Sequence, residues 1–337
     1  MILPTTYQVA LLLSIVSMLC WGSWANTQKL AGKWRFELFY YDYSLGVLLA
    51  AVAAGFTFGS MGDGLTFIDN FLIAGRRQIF YGGLAGVVFN LANMLLVAAI
   101  AVSGLSVAFP IGIGLALVIG VIWNYTLNPQ GNPMLLFTGA GLVVLAIVVD
   151  AFAYGSYADS KAAGKQWHKG GAKGIILSLS SGALMGSFYP LVEMGKAGET
   201  GLGPYAIGFI FALGVFFSTF VFNVYFMNLP IQGDAVSFSQ YFRGSFKQHA
   251  LGLFGGIIWC SGTLANFAAA SAPQEVNVGP AVSYALGQGA TLISALWGLL
   301  VWKEFKGARG GVVALIVLML VLFVCGLSLV SIAPLYK

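Results

Sequence analysis

Amide and phenol side chains recur inside long apolar runs of this sequence, where they would have no water to bind. Asn90 and Asn93 are three residues apart, and Tyr284 and Gln288 are four apart, so each pair shares one face of a helix. Asn266 lies in another such run. Because an unpaired polar group in hydrocarbon is costly, these side chains must bind either a polar solute or one another.

Aromatic residues accompany these amides. Trp21 and Trp24, in the stretch CWGSWANTQK, lie deeper in their apolar run than the tryptophans of an interfacial belt would. Their rings are therefore predicted to form the wall of a binding cavity. The candidate solute-binding residues are Trp21, Trp24, Asn90, Asn93, Tyr189, Asn266, Tyr284 and Gln288.

A structural role is the alternative for each amide. Asn, Ser and Thr side chains of membrane helices often bond only to a neighbouring helix, and each such bond contributes about 0.6 kcal/mol. For an isolated residue such as Asn223 we favour this structural interpretation, whereas for Asn93, Asn266, Tyr284 and Gln288 both interpretations stay open.

One carboxylate is predicted to lie well inside an apolar helix, and that is Glu193. Burial would suit Glu193 to proton coupling, whereas Lys196, three residues on, would neutralise it as an ordinary helix-surface pair. The remaining candidates fall at the edges of apolar runs, where we interpret them as solvated or capping carboxylates: Asp42, Asp150, Glu275 and Glu304.

Catalytic and metal chemistry lack the residues they need. The only histidines, His168 and His249, stand in basic loops, and the three cysteines lie apart in apolar runs. The nearest approach to a phosphate-binding loop, Gly164-Lys165-Gln166, lacks the hydroxyl that would hold magnesium. We therefore predict no enzyme activity, no cofactor and no metal.

The elements that carry these side chains are membrane helices, because 59% of the 337 residues are hydrophobic and only 8% are charged. Runs of about 20 apolar residues, the length that crosses a bilayer, predict ten spans in an all-α integral membrane protein. The predicted spans are 7–29, 43–61, 79–102, 105–126, 134–154, 173–196, 203–227, 250–271, 276–301 and 310–333.

The ten spans divide into two similar halves. Gly22-Ser23-Trp24 and Gly186-Ser187-Phe188 occupy equivalent places, and Gly82-Gly83 with Leu91-Ala92-Asn93 corresponds to Gly255-Gly256 with Leu264-Ala265-Asn266. Since five is odd, the halves must run in opposite directions, which is typical of secondary transporters. We predict a first five-helix repeat at 1–154, a cytoplasmic linker at 155–172 and a second repeat at 173–337.

The distribution of basic residues predicts the orientation. Loops after odd-numbered spans hold twelve of the sixteen Lys and Arg residues. By the positive-inside rule, these loops are cytoplasmic and both termini lie outside the cell. The expected location is the plasma (inner) membrane.

Several of these stretches resemble a known family. Asp42-Tyr43-Ser44 with LGVLLAAVAAGFTFGSMG, and the run GGLAGVVFNLANMLLVAAIAVSGLSVAFPIGIG, resemble the ureide permease family of the drug/metabolite transporter superfamily. The Gly-Ser-Trp of the first span is similar to a Gly-x-Trp found there and in related bacterial glucose- and rhamnose-type sugar uptake proteins. The second half resembles the family at Tyr284, Gln288, Ser294, Trp297 and Gly298, followed by Lys303-Glu304.

The resemblance implies a ten-helix carrier that imports small solutes together with protons, and ureide permeases carry allantoin and nucleobases. The candidate residues supply amides, hydroxyls and aromatic faces but no arginine or lysine that would pair an anion, so the solute is expected to be uncharged. We favour a nucleobase, nucleoside or ureide. Monosaccharide uptake and drug or metabolite export stay open, and no nucleic acid partner is expected.

Overall fold

The computed structural model describes residues 1–62, 64–103, 105–161, 172–230, 234–273 and 275–336, and the regular secondary structure of these residues is helical. The α-helices, numbered in chain order, are α1 (Tyr7–Ser23), α2 (Ala25–Leu30), α3 (Phe36–Phe56), α4 (Phe67–Ile73), α5 (Arg76–Ser103), α6 (Leu105–Leu127), α7 (Pro133–Lys161), α8 (Ala172–Lys196), α9 (Pro204–Asn228), α10 (Phe246–Ala269), α11 (Pro280–Gln288), α12 (Ala290–Leu296) and α13 (Gly310–Ile332). Short 3₁₀ helices cover Phe238–Arg243 and Ala333–Leu335, and a π-helical turn covers Trp297–Val301.

Nine helical segments of the described chain are long and apolar enough to cross a membrane. They coincide with nine of the predicted spans. The predicted span at 105–126 corresponds to α6, in which the apolar stretch Ile111–Leu127 is shorter. A multi-pass membrane protein follows from these segments.

Two predicted boundaries were wrong. Helix α3 begins at Phe36 rather than 43, because Phe, Tyr and Leu side chains extend its apolar surface through Tyr40 and Tyr41. Helix α7 continues to Lys161, so the first residues of the predicted linker 155–172 are helical. The rest of that linker, 162–171, lies outside the described residues, as does His168.

Local capping chemistry explains where several helices begin. The Thr6 hydroxyl accepts a hydrogen bond from Val9 N at the start of α1. Ser245 and Gln248 form a reciprocal capping box at the start of α10. Pro204 and Pro280 occupy the first positions of α9 and α11, where a missing N–H leaves no backbone partner unsatisfied.

Helices from the first half of the chain pack mainly against helices from the second half. Helix α1 lies against α10, α11 and α12, and α8 lies against α5 and α6. Helices α3 and α9 pack on each other, and α7 packs on α13. The first and second halves therefore interlock, with few contacts confined to one half.

Glycines allow matching close approaches in the two halves. A Cβ atom at Gly22 would lie 2.5 Å from the Ala290 carbonyl oxygen and 2.5 Å from Ile293 Cβ. At Gly186 it would lie 2.9 Å from the Ala116 carbonyl oxygen and 2.7 Å from Ile119 Cβ. The two sites therefore meet the same pair of atoms, an alanine oxygen and an isoleucine Cβ three residues later.

A second pair of approaches repeats this correspondence. A Cβ atom at Gly86 would lie 2.1 Å from the Phe211 oxygen, and one at Gly256 would lie 2.0 Å from the Tyr43 oxygen. The contacts therefore match Gly86 with Gly256. The sequence motifs match Gly83 with Gly256, so the two correspondences differ by three residues. In both places only a hydrogen atom fits between the helices.

Candidate functional site

A cavity of about 380 Å³ lies where α1, α5, α7, α8 and α10 surround the junction of α11 and α12. Two junctions between helices lie beside it. Helix α1 is followed by α2 at Trp24, whose backbone stays in the αR region, and α11 ends at Gln288 next to Gly289, which caps it. A cavity of this size and partly polar lining is typical of small-molecule sites.

Aromatic rings form one wall of the cavity. Trp21 and Trp259 stack with their centroids 6.1 Å apart, and Phe89 stacks on Trp259 at 4.4 Å. The Trp21 indole donates to Thr263 Oγ1 over 3.0 Å, which fixes the ring. Trp24 lines the same cavity and packs against Tyr43. The wall therefore offers flat faces to a solute.

Amides form the polar part of the lining. Asn93 donates to the Tyr40 hydroxyl over 3.1 Å, and its own carbonyl oxygen makes no hydrogen bond to a described residue. The side chains of Gln288 and Gln28 line the cavity and have no hydrogen-bond partner in the described part of the chain. Donors and acceptors are thus free to meet a solute.

The structure brings together four of the eight predicted solute-binding residues: Trp21, Trp24, Asn93 and Gln288. Asn90 lies elsewhere, fully buried, and donates to Val215 O, Ser218 Oγ and Thr219 Oγ1 over 3.2, 2.8 and 3.1 Å. It joins α5 to α9, which is a structural role.

The other three predicted residues form a buried layer rather than lining the cavity. The Tyr189 hydroxyl donates to Asn266 Oδ1 over 2.6 Å, and Asn266 Nδ2 donates to Ser17 Oγ and the Ser283 oxygen. The Tyr284 hydroxyl contacts the carbonyl oxygens of Ala116 and Met185. We call Ser17, Tyr189, Asn266, Ser283 and Tyr284 the polar layer; none of its side chains is exposed.

Glu193 lies beside a different cavity, of about 560 Å³, whose lining includes Met1, Asn70, Asn128 and Lys196. The Lys196 ammonium lies 2.8 Å from the Glu193 carboxylate, and both side chains are about nine-tenths buried. The predicted proton-coupling residue is therefore an ion-pair partner and does not line the cavity of the tryptophans.

Sequence reasoning missed a carboxylate in the central cavity. Asp150, interpreted above as a boundary residue, is 8% exposed, lines the cavity, and lies well inside α7. Asp42 is also buried, because α3 begins earlier than predicted, and it accepts hydrogen bonds from Tyr241 and His249. The sequence from 155 to 161 contains no proline, and that was the signal that α7 continues despite Gly155.

An ion pair lies near the end of the cavity at which Gln28 and Tyr154 line it. The Lys29 ammonium is 2.5 Å from Glu304 Oε1, and the Tyr154 hydroxyl donates to Glu304 Oε2 over 2.7 Å. Burial alone would raise the pKa of Glu304, but the hydrogen bonds from Lys29 and Tyr154 and the Lys29 charge hold that pKa below its usual value. Glu304 is therefore ionised at neutral pH.

Indole hydrogen bonds continue this link between the first and ninth spans. Trp297 Nε1 donates to Ser23 Oγ over 2.9 Å, and Trp302 Nε1 donates to Asn26 Oδ1 over 2.6 Å.

No three His, Cys, Asp or Glu side chains of the described residues come together as a metal site would require.

Comparisons with known proteins show which chains this one resembles. A model of the ureide permease family matches residues 39–173. Ureide permease 1 of Arabidopsis thaliana is 25% identical, with 86% of this chain and 87% of the relative covered. Ureide permease 2 of the same plant is 23% identical, with 94% of each covered. The chain is similar to ureide permeases over most of its length.

Ureide permeases are transporters and not enzymes, which agrees with the sequence prediction for this chain. One solved crystal structure is similar to it with a TM-score of 0.58, 15% identity and 95% of each chain covered. At that identity the likeness concerns the fold alone.

Proposed function

We propose that this ureide permease-like chain imports a small, uncharged solute with several hydrogen-bond groups, of the ureide class, and that the solute binds in the central cavity. The observation that supports this proposal is that stacked aromatic rings and amides without hydrogen-bond partners among the described residues line the same cavity. A flat heterocycle would stack on Trp21 and Trp259, while Asn93 and Gln288 would bond to its ring amides.

Ureides are favoured among solutes of this kind because the relatives that this chain matches are called ureide permeases. Nucleobases and nucleosides share the same donor and acceptor pattern and belong to the proposal as related substrates. A monosaccharide would use its C–H face against Trp21, and it is the second candidate because the aromatic wall would suit it as well. An exporter of amphipathic compounds would depend little on these amides.

We also propose that the transporter has ten spans in two inverted repeats, with the odd-numbered loops cytoplasmic. The matching approaches at Gly22 and Gly186, and at Gly86 and Gly256, support the repeat, and the twelve basic residues of those loops support the orientation. The central cavity would then extend toward the cytoplasm, since Gln28 and Tyr154 lie at the ends of the spans that lead into those loops.

A binding screen of purified protein tests the substrate class. Allantoin, uracil, uridine and glucose are added separately, and the melting temperature is measured, since a ligand that binds the folded state stabilises it. Allantoin is expected to give the largest increase in melting temperature. Counterflow of labelled allantoin in liposomes then tests whether the bound solute is transported. A shift with glucose alone would replace the ureide proposal with the sugar alternative.

A further inference from the structure

Asp150 is a buried carboxylate without a partner in the wall of the central cavity. It is 8% exposed, and no described residue donates a hydrogen bond to it. Other buried or half-buried carboxylates are partnered: Asp42 by His249 and Tyr241, Glu193 by Lys196, and Glu304 by Lys29. Asp150 therefore differs from these carboxylates because it has neither an ion-pair partner nor a hydrogen-bond donor among the described residues.

The charged groups around Asp150 do not offer a counter-ion. Helices α6 and α13, which pack against α7, contain no Asp, Glu, Lys, Arg or His. Beyond the end of α12, Glu304 contributes a second negative charge, and Lys29 of α2 is already paired with it. Tyr154, one turn after Asp150, donates its hydroxyl to Glu304 rather than to Asp150.

An ionised carboxylate in this setting is unfavourable, because it is removed from water and faces another carboxylate. Protonation removes the charge and needs only one oxygen. A metal cation would require several oxygen ligands, and no cluster of three acidic, His or Cys side chains exists in the described chain. The surroundings of Asp150 therefore suit a proton better than a metal ion.

We propose that Asp150 is the proton-binding residue of the central cavity and that its protonation couples proton movement to solute transport. The proposal rests on the function proposed above. One proton from hydronium adds to the carboxylate, giving a carboxylic acid and water, and leaves by the reverse step. Protonation removes the negative charge from the cavity wall, so the free-energy cost of enclosing Asp150 away from water falls when the proton binds.

Asp150→Asn tests the coupling, since asparagine is neutral and of the same size as the protonated acid. Wild type and variant are reconstituted in liposomes, and labelled allantoin is followed in two ways: counterflow without a pH gradient, and accumulation with a gradient of one unit. With one proton per solute, wild type is expected to accumulate allantoin about tenfold. The variant should keep counterflow at any pH but accumulate nothing.

Glu193→Gln is the matched control, because Glu193 is the carboxylate that the sequence predicted for proton coupling, and the structure pairs it with Lys196 at the second cavity. It should retain accumulation. Persistent accumulation by Asp150→Asn, its loss only in Glu193→Gln, or accumulation driven by a sodium gradient would overturn the proposal. Loss of counterflow in folded Asp150→Asn would also overturn it, by making Asp150 a solute ligand.

An infrared pH titration tests Asp150 without any solute. Wild-type protein should show the carbonyl stretch of a protonated, buried carboxylic acid, and Asp150→Asn should lack it. If Asp150→Asn does not fold, Asp150→Glu should retain the band at a shifted frequency, and an unshifted band would contradict the assignment. If wild type transports none of the solutes yet shows this band, the proposed function fails while the proton site stands.

Discussion

Two amide side chains in this bundle have opposite surroundings. Asn90 is fully buried and donates three hydrogen bonds to α9. Gln288 ends α11 at the central cavity and has no partner among the described residues. The first amide stabilises the protein, and the second is available to a solute.

Removing these two amides should therefore affect different quantities. Gln288→Ala is expected to raise the KM for allantoin about 3- to 10-fold, the worth of one lost hydrogen bond, with the melting temperature unchanged. Liposome uptake across substrate concentrations measures this.

Asn90→Ala provides the contrast. It should lower the free energy of unfolding by about 1–2 kcal/mol, because Ser218 and Thr219 lose their donor, while the KM stays the same. Equal effects of the two substitutions on KM would argue against the central cavity as the solute site.

The ion pair of Lys29 and Glu304 should respond to acid and not to changes near neutrality. The folded-state pKa of Glu304 lies below its ordinary value of 4.5, so the pair's contribution to stability is fully present above that pH. It is lost as the pH falls through the lowered value. Melting temperatures between pH 3 and 7 are expected to drop less steeply at the acid end in Glu304→Gln than in wild type.

At the level of single residues, spacing predicted four of the residues that line the central cavity. Trp21, Trp24, Asn93 and Gln288 were found because polar or aromatic groups at membrane depth require a reason. Asp150 was missed because its role depends on how far α7 extends, and apolar composition falls before that helix ends. Whether an amide faces a cavity or a neighbouring helix depends on packing, which spacing does not encode.

At the level of helices, glycine sets how closely the elements approach. A Cβ atom at Gly86 would lie 2.1 Å from the Phe211 carbonyl oxygen, a backbone atom that cannot move without shifting α9. At Gly83, three residues earlier, the nearest neighbour would be an Ile210 methyl group 3.9 Å away. One helix therefore carries a glycine that is required and one that is not.

Alanine substitutions in α5 test this difference. Gly86→Ala should destabilise the protein by about 1–3 kcal/mol through overpacking. Gly83→Ala should leave the melting temperature unchanged or raise it slightly, since alanine favours a helix interior. A thermal melt of both purified variants measures the effect, and equal melting temperatures would mean that α5 and α9 are not in close contact.

The helices themselves were well predicted from apolar run length, because each run of about 20 residues had no alternative way of burying its backbone. The junctions between α1 and α2 and between α11 and α12 were not predicted. The junctions at Trp24 and Gly289 depend on the contacts between the first and ninth spans, where Gly22 meets Ala290 and Ile293. Trp24 and Gln288, at these junctions, line the cavity.

For the molecule as a whole, the polar layer separates two cavities. The central cavity reaches toward Gln28 and Tyr154, and the second lies beside Glu193 and Lys196. Tyr189 of α8 lies between Phe188 and Glu193 along the chain, and Asn266 of α10 lies between Trp259 and Ala270, so their 2.6 Å hydrogen bond forms at a level between the two linings. A solute moving between the cavities would have to open this layer.

The proposed orientation predicts which cavity faces which side. With Cys20 and Cys325 replaced by alanine, a cysteine placed at Glu199, in the exposed turn between α8 and α9, should react with an impermeant maleimide added to intact cells. A cysteine at Gln28 should react only after the membrane is opened. The reverse pattern would invert the assignment made from the basic residues.

The packing of α1 has a consequence for biogenesis. Its main neighbours are α10, α11 and α12, which the ribosome makes only after more than two hundred further residues. Until those helices are made, the first helix lies in the membrane without the contacts that Ser283 makes to Ser14 and Asn266 makes to Ser17, although Ser14 still donates to Ala10 O within α1. A chain released after the fifth span would expose these surfaces, and so would be a natural target for membrane quality control.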